Sequence, residues 1–133
     1  MGDGKTGYEI LLHATDPSLV KFEADCGWMK VAGKDPIDYL TRHGDRFAML
    51  HVKDFKSITK PVTTLTTLTS LLSPGMLTPT ELGHGSIDLK AIVQAGLKAG
   101  VRHVFVEQEP PFKEVPAMEA AEIDYRAFKS FLS

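Results

Sequence analysis

The segment 46–54, with the sequence RFAMLHVKD, limits the possible folds more than any other part of the chain. Its four consecutive apolar residues are typical of a strand that is buried on both faces, as the strands of a parallel sheet are. His51 and Asp54 follow the apolar run, and α/β enzymes carry their chemistry on polar groups at the carboxyl ends of such strands. We therefore interpret His51 as a candidate metal ligand at the end of a buried strand.

Strand and helix patterns alternate along the rest of the sequence. Helices are predicted at 5–13, 35–43, 87–99 and 117–132, strands at 18–24, 46–52 and 101–106, and a loop at 26–34. Asp35 and Pro36 form a typical helix start, Ser86 is a candidate N-cap, and Gly44 and Gly100 are candidate helix ends. The last helix is expected to bury Ile123, Tyr125, Phe128 and Leu132. One helix followed by three strand–helix units predicts an α/β fold with a parallel sheet and right-handed crossovers.

The connection 53–85 is unusually long for a compact domain. Its middle, 62–72, is a Thr/Leu repeat, VTTLTTLTSLL, without a clear period. We favour an ill-ordered insertion. A lid over a site is the alternative, which the length of a loop cannot establish by itself.

Composition excludes several classes of protein. The 133 residues suit one domain, and the net charge of −2 provides no electrostatic footprint for nucleic acid or for an anionic membrane. No apolar stretch reaches the ~20 residues of a membrane helix, and we expect no signal peptide at the N-terminus. Cys26 is the only cysteine, which rules out an internal disulfide and fits a reducing compartment. A cytoplasmic location is the expectation.

Each predicted strand is followed by a group that can bind a metal. These groups are Asp25, His51 and Glu107. Because the carboxyl ends of parallel strands meet at one edge of a sheet, we expect the three side chains to lie close enough to share an ion. Their chemical types suit a divalent cation.

Four motifs carry a resemblance to a known family. They are FEADCGW with AGKDP within 22–36, RFAMLHVKD at 46–54, ELGHGSID at 81–88 and FVEQEPPF at 105–112. With them the chain resembles the xylose isomerase-like TIM-barrel superfamily, in its sugar phosphate isomerase/epimerase branch. The resemblance implies a partial (β/α)₈ barrel: residues 1–133 would be its C-terminal portion, helix five to helix eight with the last three strands, and 53–85 a long insertion. A whole barrel has about 250 residues.

The resemblance also implies roles for individual residues. Asp25, His51 and Glu107 match three of the four ligands of one divalent metal, which could be Mn²⁺, Mg²⁺ or Zn²⁺. The first ligand, a glutamate on strand five, has no counterpart. Glu107 would act both as a ligand and as a catalytic acid/base. For Asp54 we favour a role as a partner of the ligands or as a loop cap over direct ligation.

Two departures from the family pattern concern the substrate. Trp28 stands where these epimerases usually carry a histidine that grips the substrate, and it could stack on a sugar. The expected arginine after the histidine ligand is missing; Lys53 and Lys56 are nearby cations, but lysine does not reproduce a guanidinium fork. These three residues are our candidates for substrate binding. For Lys53 a solvated loop lysine is an equal alternative, and Glu109 is interpreted as a rim charge.

The implied function is metal-dependent isomerisation or epimerisation of a small sugar or sugar phosphate through enediolate chemistry. One alternative is an inactive truncated barrel, or a domain that needs a partner chain, and we expect little activity from this chain alone. A second is an endonuclease of the same superfamily, which the slight negative charge and the single strand-end histidine disfavour. The side of the sheet that would face a barrel interior is expected to lack cover, and this predicts self-association.

Overall fold

The structure, a computed structural model, describes residues 5–58, 77–110 and 115–133. Its centre is a sheet of three parallel strands, β1 (Phe22–Asp25), β2 (Phe47–Val52) and β5 (His103–Val106), in the order β1-β2-β5. The parallel α/β fold predicted from the sequence is therefore confirmed. No helix in the part of the chain that the structure describes is long and apolar enough to cross a membrane.

Five α-helices lie among the described residues, α1 (Gly7–Ala14), α2 (Cys26–Val31), α3 (Pro36–His43), α4 (Leu89–Ala99) and α5 (Ala117–Phe131), and a short 3₁₀ helix (Gly44–Arg46) follows α3. Thr6 and Glu9 form a reciprocal capping box at the start of α1. Asp35 caps α3 as predicted. Gly100 ends α4 with a φ of 95°, a backbone conformation that favours glycine.

Several local predictions were wrong. The predicted loop 26–34 contains α2, because Asp25 caps a helix there. Asp88, not Ser86, caps α4, since its side chain accepts a hydrogen bond from the Ala91 amide at 3.1 Å. In α5 the buried residues are Ala120, Asp124 and Phe131, whereas Tyr125 and Leu132 are more than half exposed.

The long connection between β2 and α4 is closed at its base. Strand β3 (Asp54–Phe55) pairs antiparallel with β4 (Pro79–Thr80), so the two ends of the connection meet. The Thr/Leu repeat at 62–72 lies outside the described residues.

The two faces of the parallel sheet differ in their cover. Leu50 is fully buried, and α4 approaches it so closely that a Cβ on Gly96 would lie 2.3 Å from Leu50 Cδ1. Because side chains alternate along a strand, His51 and Phe105, which are paired in register, belong to the opposite face. Phe105 is 50% exposed there. The helices therefore cover one face, and we call the other the open face.

Candidate metal and acid–base site

The predicted ligands meet at the carboxyl edge of the sheet. Asp25 Oδ2 lies 3.3 Å from His51 Nδ1, and Glu107 Oε2 lies 3.2 Å from His51 Nε2. One donor atom from each residue falls within 4.8 Å of the others. The convergence expected from the strand order is thus observed, with the imidazole between the two carboxylates.

Strand register explains this convergence. Asp25 is the register partner of His51 in the β1–β2 ladder. The Glu107 amide donates to the Val52 carbonyl at 3.0 Å, so the β2–β5 ladder continues one residue beyond β5. The backbone of each of these three residues is therefore paired with a neighbouring strand, and this pairing fixes the position of its side chain along the strand direction.

Asp25 has two structural roles. Its Oδ1 accepts a hydrogen bond from the Trp28 amide at 2.9 Å and caps α2, while Oδ2 faces His51. Capping a helix and facing the site are therefore compatible roles for this aspartate. The cap also holds Trp28 beside the site, where its ring lies 5.7 Å from the ring of Phe55.

Lys53 belongs to the site, and its interpretation as a solvated loop lysine was wrong. Its side chain is 1% exposed, and Nζ lies 2.5 Å from Glu107 Oε2 and 2.8 Å from Glu109 Oε1. Glu109 is 41% exposed, as a rim residue would be, yet it forms an ion pair. Strand alternation was the missed signal: Lys53 is two residues after His51 and Glu109 is two after Glu107.

The charges around Glu107 favour its carboxylate form. Burial acts to raise the pKa of Glu107, but the neighbouring Lys53 ammonium and His51 ring lower that pKa below its ordinary value. Burial alone would lower the pKa of Lys53, but the carboxylates of Glu107 and Glu109 raise it. Glu107 is thus held in its ionised form at neutral pH.

Asp54 organises the turn that precedes α4. Its Oδ1 accepts hydrogen bonds from the amides of Phe55 and Ile87 at 2.9 and 3.3 Å, and its Oδ2 from those of Gly83 and Gly85, both at 3.1 Å. A Cβ on Gly85 would lie 2.1 Å from Oδ1, so the close approach requires glycine. Burial raises the pKa of this carboxyl group, and the four amides act against that rise. These contacts make Asp54 a loop cap; its support of the metal ligands stays a prediction.

Lys56, the remaining candidate for substrate binding, follows β3. Its side chain is exposed, and its amide donates to the Thr78 carbonyl at 2.9 Å. The substrate-binding roles of Trp28, Lys53 and Lys56 stay predictions.

The side chains present at the site fit a divalent cation. Asp25, His51 and Glu107 supply two carboxylates and an imidazole, which suits Mn²⁺ or Zn²⁺ and, through the oxygens, Mg²⁺. Both ring nitrogens of His51 face carboxylates, and Lys53 lies against Glu107. A cation would have to replace part of these contacts.

Comparison with known proteins reveals relatives that are longer than this chain. The inosose dehydratase of Clostridium tetani (strain Massachusetts / E88) is 32% identical over 95 residues, which are 69% of this chain and 32% of that protein. Two crystal structures of sugar phosphate isomerase/epimerases from Parabacteroides distasonis ATCC 8503 match the whole chain, with TM-scores of 0.74 and 0.66 and identities of 24% and 23%. No protein-family model matches the sequence.

These matches define the fold class. The chain has the fold of part of a xylose isomerase-like TIM barrel and spans 40% and 37% of the two matched structures. Both of those structures are sugar phosphate isomerase/epimerases, and the resemblance predicted from the four motifs is confirmed.

Proposed function

We propose that this chain forms part of a metal-dependent isomerase or epimerase that acts on a small sugar or sugar phosphate by enediolate chemistry. The observation that carries the proposal is the cluster of Asp25, His51 and Glu107 at one edge of the sheet. The similarity of the fold to two sugar phosphate isomerase/epimerases supports the same chemistry.

Glu107 would move the proton. Its carboxylate is kept ionised by Lys53 and His51, so it can accept a proton from the carbon next to a substrate carbonyl and return it. Asp25 and His51 would hold a divalent ion together with Glu107, and the bound ion would supply a Lewis acid that polarises the carbonyl. Proton transfer on the other side of the substrate needs a second carboxylate, which the family pattern places on strand five.

The residues at the rim would select the substrate. Trp28, capped in place by Asp25, could stack on the apolar side of a sugar ring. The exposed Lys56 could contact an anionic group such as a phosphate. Lys53 could reach a substrate only by leaving its two glutamates.

A dehydratase reaction is the second candidate, because this chain is 32% identical over 95 residues to inosose dehydratase of C. tetani. Removal of water beside a ketone begins with the same proton abstraction, and it differs in the loss of a hydroxyl group afterwards. Glu107 would therefore serve as base in either reaction.

We expect slow exchange of the substrate proton next to the carbonyl when this chain is incubated with Mn²⁺ and sugar ketones in D₂O. The exchange should fall by about 10²–10⁴-fold in Glu107→Gln, the usual contribution of a general base. Proton NMR measures the exchange, and mass spectrometry detects loss of water if dehydration follows. The matched control is Glu119→Gln, an exposed residue in α5. Equal exchange in wild type and Glu107→Gln would refute the assignment of the base, and no exchange at all would favour the inactive fragment or a need for a partner chain.

We also propose that the chain self-associates through the open face. Phe105 is 50% exposed on that face, and in the described part of the chain the sheet ends in the edge strands β1 and β5. Apolar surface contributes about 25 cal/mol per Å² when it is covered. Unpaired edge strands likewise favour association.

Sedimentation or light scattering should show oligomers of wild type and a shift towards monomer in Phe105→Lys. Leu19→Lys is the matched control, since Leu19 is 81% exposed in the turn between α1 and β1 and is not part of a strand. A monomeric wild type would contradict the proposal, as would equal dissociation by the two variants.

A further inference from the structure

One carboxylate oxygen at the site faces two different positive or proton-bearing groups. Glu107 Oε2 lies 2.5 Å from Lys53 Nζ and 3.2 Å from His51 Nε2. A divalent ion bound through this oxygen would approach the Lys53 ammonium closely, and two cations at such a distance repel each other. The contact with Lys53 would therefore oppose the binding of a divalent ion through Oε2.

The aliphatic part of the Lys53 side chain packs against Gly27. A Cβ on Gly27 would lie 3.2 Å from Lys53 Cγ, so the absence of a side chain there leaves room for the aliphatic stem. The ammonium lies 5.7 Å from the centre of the Trp28 ring and 6.0 Å from that of Phe55, within the range of cation–π attraction. These contacts hold the Lys53 side chain in its buried position at the site.

Glu109 gives the ammonium a second place to bind. Its Oε1 lies 2.8 Å from Lys53 Nζ, and the Glu109 side chain is more exposed than that of Glu107. If Glu107 turns to another cation, Lys53 can keep one carboxylate partner and remain paired in its buried position.

We infer that Lys53 is a positioning residue which holds Glu107 when no divalent ion is bound and releases it to the ion while staying paired with Glu109. This inference rests on the metal site of the proposed function. It predicts that Lys53 lowers the affinity of the site for divalent ions, and that Glu109 limits this loss.

The first test is calorimetric titration of the full chain and its variants with Mn²⁺. Lys53→Met should bind Mn²⁺ about 10-fold more tightly, because the substitution removes the repulsion between the ammonium and the ion. Lys53→Arg retains the charge and should stay near wild type. Lys98→Met, which removes an exposed lysine from α4, should also leave the affinity unchanged. Unchanged or weaker binding by Lys53→Met would overturn the inference.

A double-mutant cycle separates this mechanism from the general effect of charge. Glu109→Gln should weaken Mn²⁺ binding in the wild-type background, because Lys53 then depends on Glu107 alone, and should have little effect in the Lys53→Met background. Equal weakening in both backgrounds would mean that Glu109 acts only through its own charge and would overturn the inference. If circular dichroism shows that Lys53→Met does not fold, the Mn²⁺ affinities of Glu109→Gln and Glu119→Gln are compared instead. Equal affinities of these two variants would overturn the inference.

The outcomes also distinguish this inference from the metal site itself. Mn²⁺ binding that is lost in His51→Ala but unaffected by Lys53→Met would retain the site and refute the role of Lys53. Absence of Mn²⁺ binding in wild type and in every variant would refute both.

Discussion

Replacement of His51 by alanine is expected to abolish measurable Mn²⁺ binding. Wild type should bind loosely, because three of the four ligands of the family pattern are present and Lys53 opposes the ion. Removal of the imidazole leaves Asp25 and Glu107 without the group that lies between them. We expect a loss of about 100-fold or more, the upper end of what even indirect changes around metal ligands cost.

Calorimetric titration against His103→Ala measures this loss. His103 is an exposed histidine in β5, paired with Met49 at a lower level of the same sheet, so the control removes the same chemical group away from the site. Wild-type affinity in His51→Ala would show that the ion binds elsewhere. Equal losses in the two variants would point to a nonspecific effect of removing a histidine.

Replacement of Asp54 by alanine is expected to cost about 3 kcal/mol or more of the free energy of unfolding. The carboxylate is 1% exposed and accepts four backbone hydrogen bonds, and each buried donor left without a partner costs about 1–3 kcal/mol. Water that enters the vacated space would accept some of these hydrogen bonds and so reduce the loss of free energy. The loss is large beside the 5–15 kcal/mol that typically stabilises a domain.

Urea unfolding of Asp54→Ala and Asp88→Ala gives the comparison. Asp88 also accepts a backbone hydrogen bond, but it is an exposed N-cap, and its removal should cost only about 1 kcal/mol. Asp54→Asn retains one acceptor oxygen and should lie between the two. If Asp54→Ala unfolds at the same urea concentration as Asp88→Ala, the turn is not held by this carboxylate.

The sequence was sufficient to predict the parallel sheet and the convergence of three strand ends. Both follow from the alternation of strand and helix patterns, since parallel strands all place their carboxyl ends at one edge. Helix α2 was missed because its six residues provide too little apolar periodicity, and because the ligand interpretation of Asp25 was favoured over its interpretation as a cap or turn residue. Asp25 caps α2 with one carboxylate oxygen and faces His51 with the other, so the cap leaves room for the predicted role as a ligand.

The burial of Lys53 was missed because the predicted strand ended at residue 52, so the alternation of side chains was not followed beyond His51. A lysine at the start of a connection is usually solvated, and only the pairing with Glu107 and Glu109 offsets the cost of burying its charge. The positions of those glutamates depend on the ladder between β2 and β5, which is a tertiary feature. Three of the four amides around Asp54 depend in the same way on a turn about thirty residues further along the chain, and only the Phe55 amide is local.

The cap on α2 gives the site an intrinsic optical probe. Trp28 is the only tryptophan in the sequence, its amide is bound to Asp25, and its ring lies beside the Lys53 ammonium. A change in the partner of either charged group alters the electric field at the indole, which sets the wavelength and yield of its fluorescence. Occupation of the site can therefore be followed in the unlabelled protein by the emission of this one residue.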